Sequence, residues 1–151
     1  MEANPDWIEL VNTGSSPATL DGWTLTDHSD QPFVFPAGTV LPPNGFLVVA
    51  CDGLTNAAGL HAPFKLDHDG ETIGLYDKTQ QRIDVLTFGH QAADYSVGRA
   101  GAGGVWQLTQ PTRGTANQSA EFAAASGLKI NEWLANGRPG EDDWLELYNP
   151  D

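Results

Sequence analysis

Short apolar runs alternate along the whole chain with clusters of Gly, Pro, Asn and Asp. Residues 7–12, 22–27, 33–35, 45–51, 72–77, 82–89 and 105–109 read as strands on this pattern. In 72–77 the alternate residues Ile73 and Leu75 share a face. In 82–88 Ile83 and Val85 do so, but Phe88 joins them only after a shift, which predicts a bulge near Leu86. Residues 46–50 are apolar on both faces and predict a central strand covered on both sides. Turn chemistry separates the runs at Pro42-Pro43-Asn44-Gly45, Asp67-His68-Asp69-Gly70 and Lys78-Thr79-Gln80-Gln81. Helical periodicity is weak and confined to 119–125, which reads as a linker or a single turn. Many short strands with such turns predict an all-β chain folded as an antiparallel β-sandwich.

One segment occurs twice. Asp6-Trp7-Ile8-Glu9-Leu10-Val11-Asn12 returns 137 residues later as Asp143-Trp144-Leu145-Glu146-Leu147-Tyr148-Asn149, with five of seven positions identical. The two differences exchange one good strand former for another. The chain is therefore expected to hold slightly more than one period of a tandem array. The second copy follows the strand-like Leu128-Lys129-Ile130-Asn131-Glu132-Trp133-Leu134-Ala135, whereas only residues 1–5 precede the first. The expected organisation is a sandwich lacking its first strand over 1–118, a linker over 119–128, and the opening strands of a following repeat over 129–151. Ile130, Glu132 and Leu134 would complete the sandwich, within the chain or by exchange with a second chain. The thirteen steps from Asn117 to Ile130 span at most about 43 Å, against about 33 Å for a ten-residue strand, so both routes stay open.

Composition narrows the function. Of the 151 residues, 40% are hydrophobic and 9% aromatic, enough to exclude wholesale disorder. Trp7, Trp23 and Trp106 are expected to supply much of the contact between sheets. The net charge of −13 opposes a phosphate backbone and excludes nucleic acid as a partner. No apolar run approaches the roughly 20 residues of a membrane span, so no membrane insertion is expected. The N-terminus lacks the basic flank and apolar stretch of a signal peptide, which is expected to be absent or removed. The lone Cys51 can form neither an internal disulfide nor a cysteine-rich zinc site, and at the end of an apolar strand it is expected to be buried and inert.

Candidate chemistry is sparse. Asp6 and Glu9 lie three apart on a strand, hence on opposite faces, and cannot act as an acid/base pair. The same holds for Asp143 and Glu146. The run Asp67-His68-Asp69-Gly70-Glu71 looks like the start of a calcium loop but lacks its 12-residue spacing and flanking helices. A Gly-containing hairpin turn is expected there, with Asp67, Asp69 and Glu71 as the metal candidates, calcium being the ion, and no other cofactor. His28, His61, His68 and His90 fall in predicted loops without ligand spacing and are expected in solvent. Neither Gly-x-Ser-x-Gly nor a phosphate-cradling loop is present. No catalytic residue is assigned, and the chain is not expected to be an enzyme. Arg99 is expected to tie a loop to a carboxylate or to backbone carbonyls.

Taken as a set, several stretches resemble the lamin-tail domain. They include Ile130-Asn131-Glu132-Trp133-Leu134-Ala135 and Asp143-Trp144-Leu145-Glu146-Leu147-Tyr148-Asn149-Pro150. In the first copy they continue through Leu20-Asp21-Gly22-Trp23-Thr24-Leu25-Thr26-Asp27 and Leu41-Pro42-Pro43-Asn44-Gly45-Phe46-Leu47-Val48-Val49. Further on come Gly70-Glu71-Thr72-Ile73-Gly74-Leu75-Tyr76-Asp77, Ser96-Val97-Gly98-Arg99 and Gly114-Thr115-Ala116-Asn117. The resemblance implies an immunoglobulin-like sandwich of the bacterial secreted or surface type, non-catalytic, and often appended to hydrolases or repeated in large surface proteins. The expected role is a structural or interaction module, extracellular or at a bacterial cell surface. Its expected partners are neighbouring domains of the same polypeptide, other proteins, or a second copy in a domain-swapped homodimer. The alternative is a calcium- or carbohydrate-binding module using acidic loops and an exposed aromatic such as Tyr95 or Trp133.

Overall fold

In the computed structural model, which describes residues 5–27, 29–101, 103–121 and 127–149, every named element is a strand. The chain divides into two units, Met1–Ser119 and Ala120–Asp151. The first unit contains β1 (Asp6–Val11), β2 (Ala18–Thr19), β3 (Thr24–Thr26), β4 (Phe33–Val34), β5 (Val40–Leu41) and β6 (Phe46–Cys51). It continues with β7 (His61–Ala62), β8 (Glu71–Tyr76), β9 (Arg82–Phe88), β10 (Ser96–Ala100), β11 (Val105–Gln110) and β12 (Gln118–Ser119). One sheet has the order β1-β6-β7, a second β4-β3-β8-β9 and a third β10-β11-β12, with β2 and β5 forming a short separate pair. The pairings are antiparallel except β6 with β7.

Alternation explains the core. From β6, Val49 and Cys51 point inward and are buried, while Phe46, Val48 and Ala50 on the other face are half-buried. β1 adds Ile8 and Leu10, β3 adds Leu25, and β8 adds Ile73 and Leu75. Phe33 and Phe35 meet edge to face at 4.9 Å in the centre, a favoured aromatic geometry. The chain is thus an all-β, immunoglobulin-like sandwich whose two main sheets share one core.

Two expectations are corrected, and one strand is added. The bulge in β9 lies at Ile83, not near Leu86: Leu75 pairs with Asp84 and Tyr76 with Arg82, leaving Ile83 over. The extra residue turns Leu86 and Phe88 toward the protein and leaves Ile83 and Val85 exposed. Of the three tryptophans, Trp23 packs against the core. Trp7 and Trp106 instead lie under the guanidinium groups of Arg113 (5.1 Å) and Arg99 (4.7 Å). A guanidinium stacks on an indole face by cation–π attraction, which holds these two rings at the surface under an arginine. The strand β10, absent from the sequence reading, contains Gly98 and Arg99, and pairs with β11 across the turn at Gly101. A Cβ on Gly98 would stand 2.5 Å from the Asn117 amide nitrogen, so glycine alone permits that approach.

The second unit is a hairpin of β13 (Lys129–Leu134) and β14 (Trp144–Tyr148). Ile130 faces Leu147 and Glu132 faces Glu146, so Asn131 is the extra residue of a bulge, and its amide donates to the Glu146 carboxylate. The Glu141 carboxylate accepts from the Arg138 backbone N–H (3.0 Å) in the connecting loop.

Candidate functional site

β1 ends its sheet, and β9 ends the facing one. At the end of β1, Asn12 donates its N–H to the Gly45 carbonyl (3.1 Å) and accepts from the Asn44 N–H (2.8 Å), so both of its backbone groups point at the β6 side. Strand alternation then points the backbone groups of Trp7, Glu9 and Val11 to the opposite edge. On that side Arg113 donates to the Pro5 carbonyl (2.8 Å), and the Gly114 N–H donates to Glu9 Oε2 (2.5 Å). Glu9 thus works structurally, holding the loop after β11. Between the two sheet edges runs a groove lined by Ile8, Leu10, Leu25, Leu75, Leu86 and Trp106. Arg99 borders it, its Nη2 meeting both oxygens of Asp84 at 3.1 and 3.0 Å, so it ties β10 to β9 through a carboxylate.

The loop before β8 forms a second cluster. Its Gly-containing turn closes through Gly70 N–H to the Asp67 carbonyl (3.0 Å). It leads into β8 from the chain around Lys65, so it is a turn but not the tip of a hairpin. Glu71 accepts from the Asp67 N–H (2.8 Å), and Asp67 accepts from the Asp69 N–H (2.9 Å). Burial pushes the Glu71 carboxyl above its ordinary value. Asp69 Oδ1 lies 3.3 Å from His68 Nε2 and 3.3 Å from His90 Nδ1, and all three side chains are exposed. The grouping of His90 with His68 and Asp69 escaped the sequence reading. Its signal was the β8–β9 register: Glu71 faces Phe88, and two residues further Asp69 comes opposite His90. That register becomes readable only once the bulge at Ile83 is placed.

The remaining candidates scatter. His61 is not a solvent-exposed loop residue. It stands in β7, with Nδ1 2.8 Å from Asp52 Oδ2 and Nε2 3.0 Å from the Ala58 carbonyl. The hydrogen bond that the Asp52 carboxylate accepts from its ring holds the His61 imidazole above its ordinary value. The Asp52 carboxyl, despite the opposing effect of burial, is held low by the Leu54 N–H and His61. Cys51 is buried (1% exposed), and burial followed by the nearby carboxylates Asp6 and Glu71 pushes its thiol up to about 12. It is a core residue, not a nucleophile. Tyr95 is half-buried, and Trp133 is 69% exposed on β13. Ile130, Glu132 and Leu134 all lie on β13, where they face β14. His28 lies outside the described residues, as do 122–126 of the expected linker.

Residues 1–90 match the family model of the lamin tail domain. Comparison with curated proteins and with solved structures gives no match.

Proposed function

The chain belongs to the lamin tail domain family, and from that premise we propose that it is a non-catalytic structural and interaction module. In this reading it is one of a series carried by a secreted or cell-surface bacterial protein. The observation that carries the reading is the apolar groove between the edge strands β1 and β9. A strand laid along β1 would meet the backbone groups of Trp7, Glu9 and Val11 and shield Ile8 and Leu10, as in recognition by strand addition. Residues 129–134 suit that place because β14 repeats the sequence of β1, and β13 is the partner of β14. Glu146, the counterpart of Glu9, takes the amide of Asn131, while Gly114 engages Glu9 through Oε2. Ile130, Glu132 and Leu134 are then the completing residues, supplied by the same chain or by a second copy. The strongly acidic surface keeps such modules soluble and opposes nucleic acid. Neighbouring domains of the same polypeptide, or other proteins, are the partners.

Removing residues 128–151 tests the proposal. The melting temperature is expected to fall sharply, or the protein to aggregate, and an unchanged melting temperature refutes it. A concentration-dependent dimer of the intact chain assigns the completing strand to a second copy, and a monomer assigns it to the same chain. A second reading, ligand binding at the exposed Trp133 or the acidic loop 67–71, is favoured by the exposure of that indole. Calorimetric titration with calcium and with a panel of glycans checks it.

A further inference from the structure

We propose that His68, Asp69 and His90 bind a divalent transition-metal ion of the zinc class. Asp69 Oδ1 lies 3.3 Å from His68 Nε2 and 3.3 Å from His90 Nδ1. Two ligand atoms bound to one tetrahedral zinc at about 2.0–2.1 Å stand about 3.3–3.4 Å apart, so two edges of the coordination triangle already have the right length. The three donor atoms all lie within 4.8 Å of one another, and a small rotation of either exposed imidazole closes the third edge. Asp67 Oδ1, 3.8 Å from His68 Nδ1, stands on the side of that ring away from the ion, the position of a supporting carboxylate.

The backbone holds the two segments in place. The Gln91 N–H donates to the His68 carbonyl at 2.7 Å. Gly70, with φ of 116°, lets the turn approach β9 so closely that a Cβ there would sit 2.5 Å from the Phe88 carbonyl oxygen. Two imidazoles and one carboxylate suit zinc, nickel or copper, whereas calcium needs six to eight oxygens. Glu71, which an oxygen-only site would require, is held by the Asp67 N–H. Three protein ligands leave a fourth position for water.

Zinc titrated into the intact chain, followed by calorimetry, is expected to show one saturable site that calcium does not compete for. Cobalt in place of zinc should give the intense visible absorption of a four-coordinate ion. His68→Ala, Asp69→Asn and His90→Ala, each checked for an unchanged melting temperature without metal, should each weaken zinc binding by at least the about 10–100-fold that losing a supporting group costs a metal site. Zinc binding that survives these substitutions, no saturable binding by zinc, or equal competition by calcium overturns the proposal.

Discussion

β1 and β14 are built on two nearly identical seven-residue segments and meet different fates. In β1, Ile8 and Leu10 pack against a core built around Phe35 and Val49. In β14 their counterparts Leu145 and Leu147 are 57% and 59% exposed. Trp7 is half-buried beneath Arg113, while Trp144 is exposed. Strand formation followed the local sequence in both places, because the alternation and the strand-forming residues are common to both. Burial did not. It depends on a facing sheet, which the first unit supplies for β1 and which two strands do not contain by themselves. The apolar surface of the hairpin is the kind that marks an interaction site.

The largest expected difference between the two units comes from their aromatics. Phe35→Ala, at a site 1% exposed, should destabilise the first unit by about 3–5 kcal/mol, whereas Trp133→Ala should stay within about 0.5 kcal/mol. Chemical denaturation checks both, and comparable losses would mean that the hairpin is as well packed as the sandwich. Next comes the matched pair within the repeat. Leu10→Ala should cost about 2 kcal/mol and Leu147→Ala about 0.5 kcal/mol or less, because deletion costs follow the packing lost rather than the residue type. Equal values would break the comparison at its closest point.

The smallest effect is a pH dependence confined to the first unit, since the second contains no histidine. His61 is raised above its ordinary 6.5 by Asp52, and Asp52 lies below its ordinary 3.8. The pair's stabilisation is therefore whole between those two ordinary values. It fades as the pH climbs through the raised His61 value, and again as the pH drops through the lowered Asp52 value. Melting temperatures of the intact chain should decline modestly from pH 6 to 8, and His61→Gln should flatten that slope.

The sequence was informative wherever one local signal sufficed. The run that became β8 shows its strand by alternation and that of β6 by a short continuous apolar stretch, and the polar turn Lys78-Thr79-Gln80-Gln81 marks the hairpin between β8 and β9. β10 was hidden because Gly98 and Ala100 are poor strand formers, and it exists through its pairing with β11 and the approach of Asn117. The His68–Asp69–His90 cluster was hidden for a related reason. With an unbulged hairpin Asp69 would come opposite Gly89, and the single extra residue at Ile83 moves it to His90.

By itself, then, the sequence determined the strand character of the chain, its family and the recurrence of one seven-residue segment, since each is written in residue order and spacing. Tertiary structure alone decided which of two matching strands is buried, which tryptophans leave the core for a guanidinium, and which histidines meet a common carboxylate. Those outcomes depend on groups brought together from distant parts of the chain, and one residue of register is enough to exchange one neighbour for another.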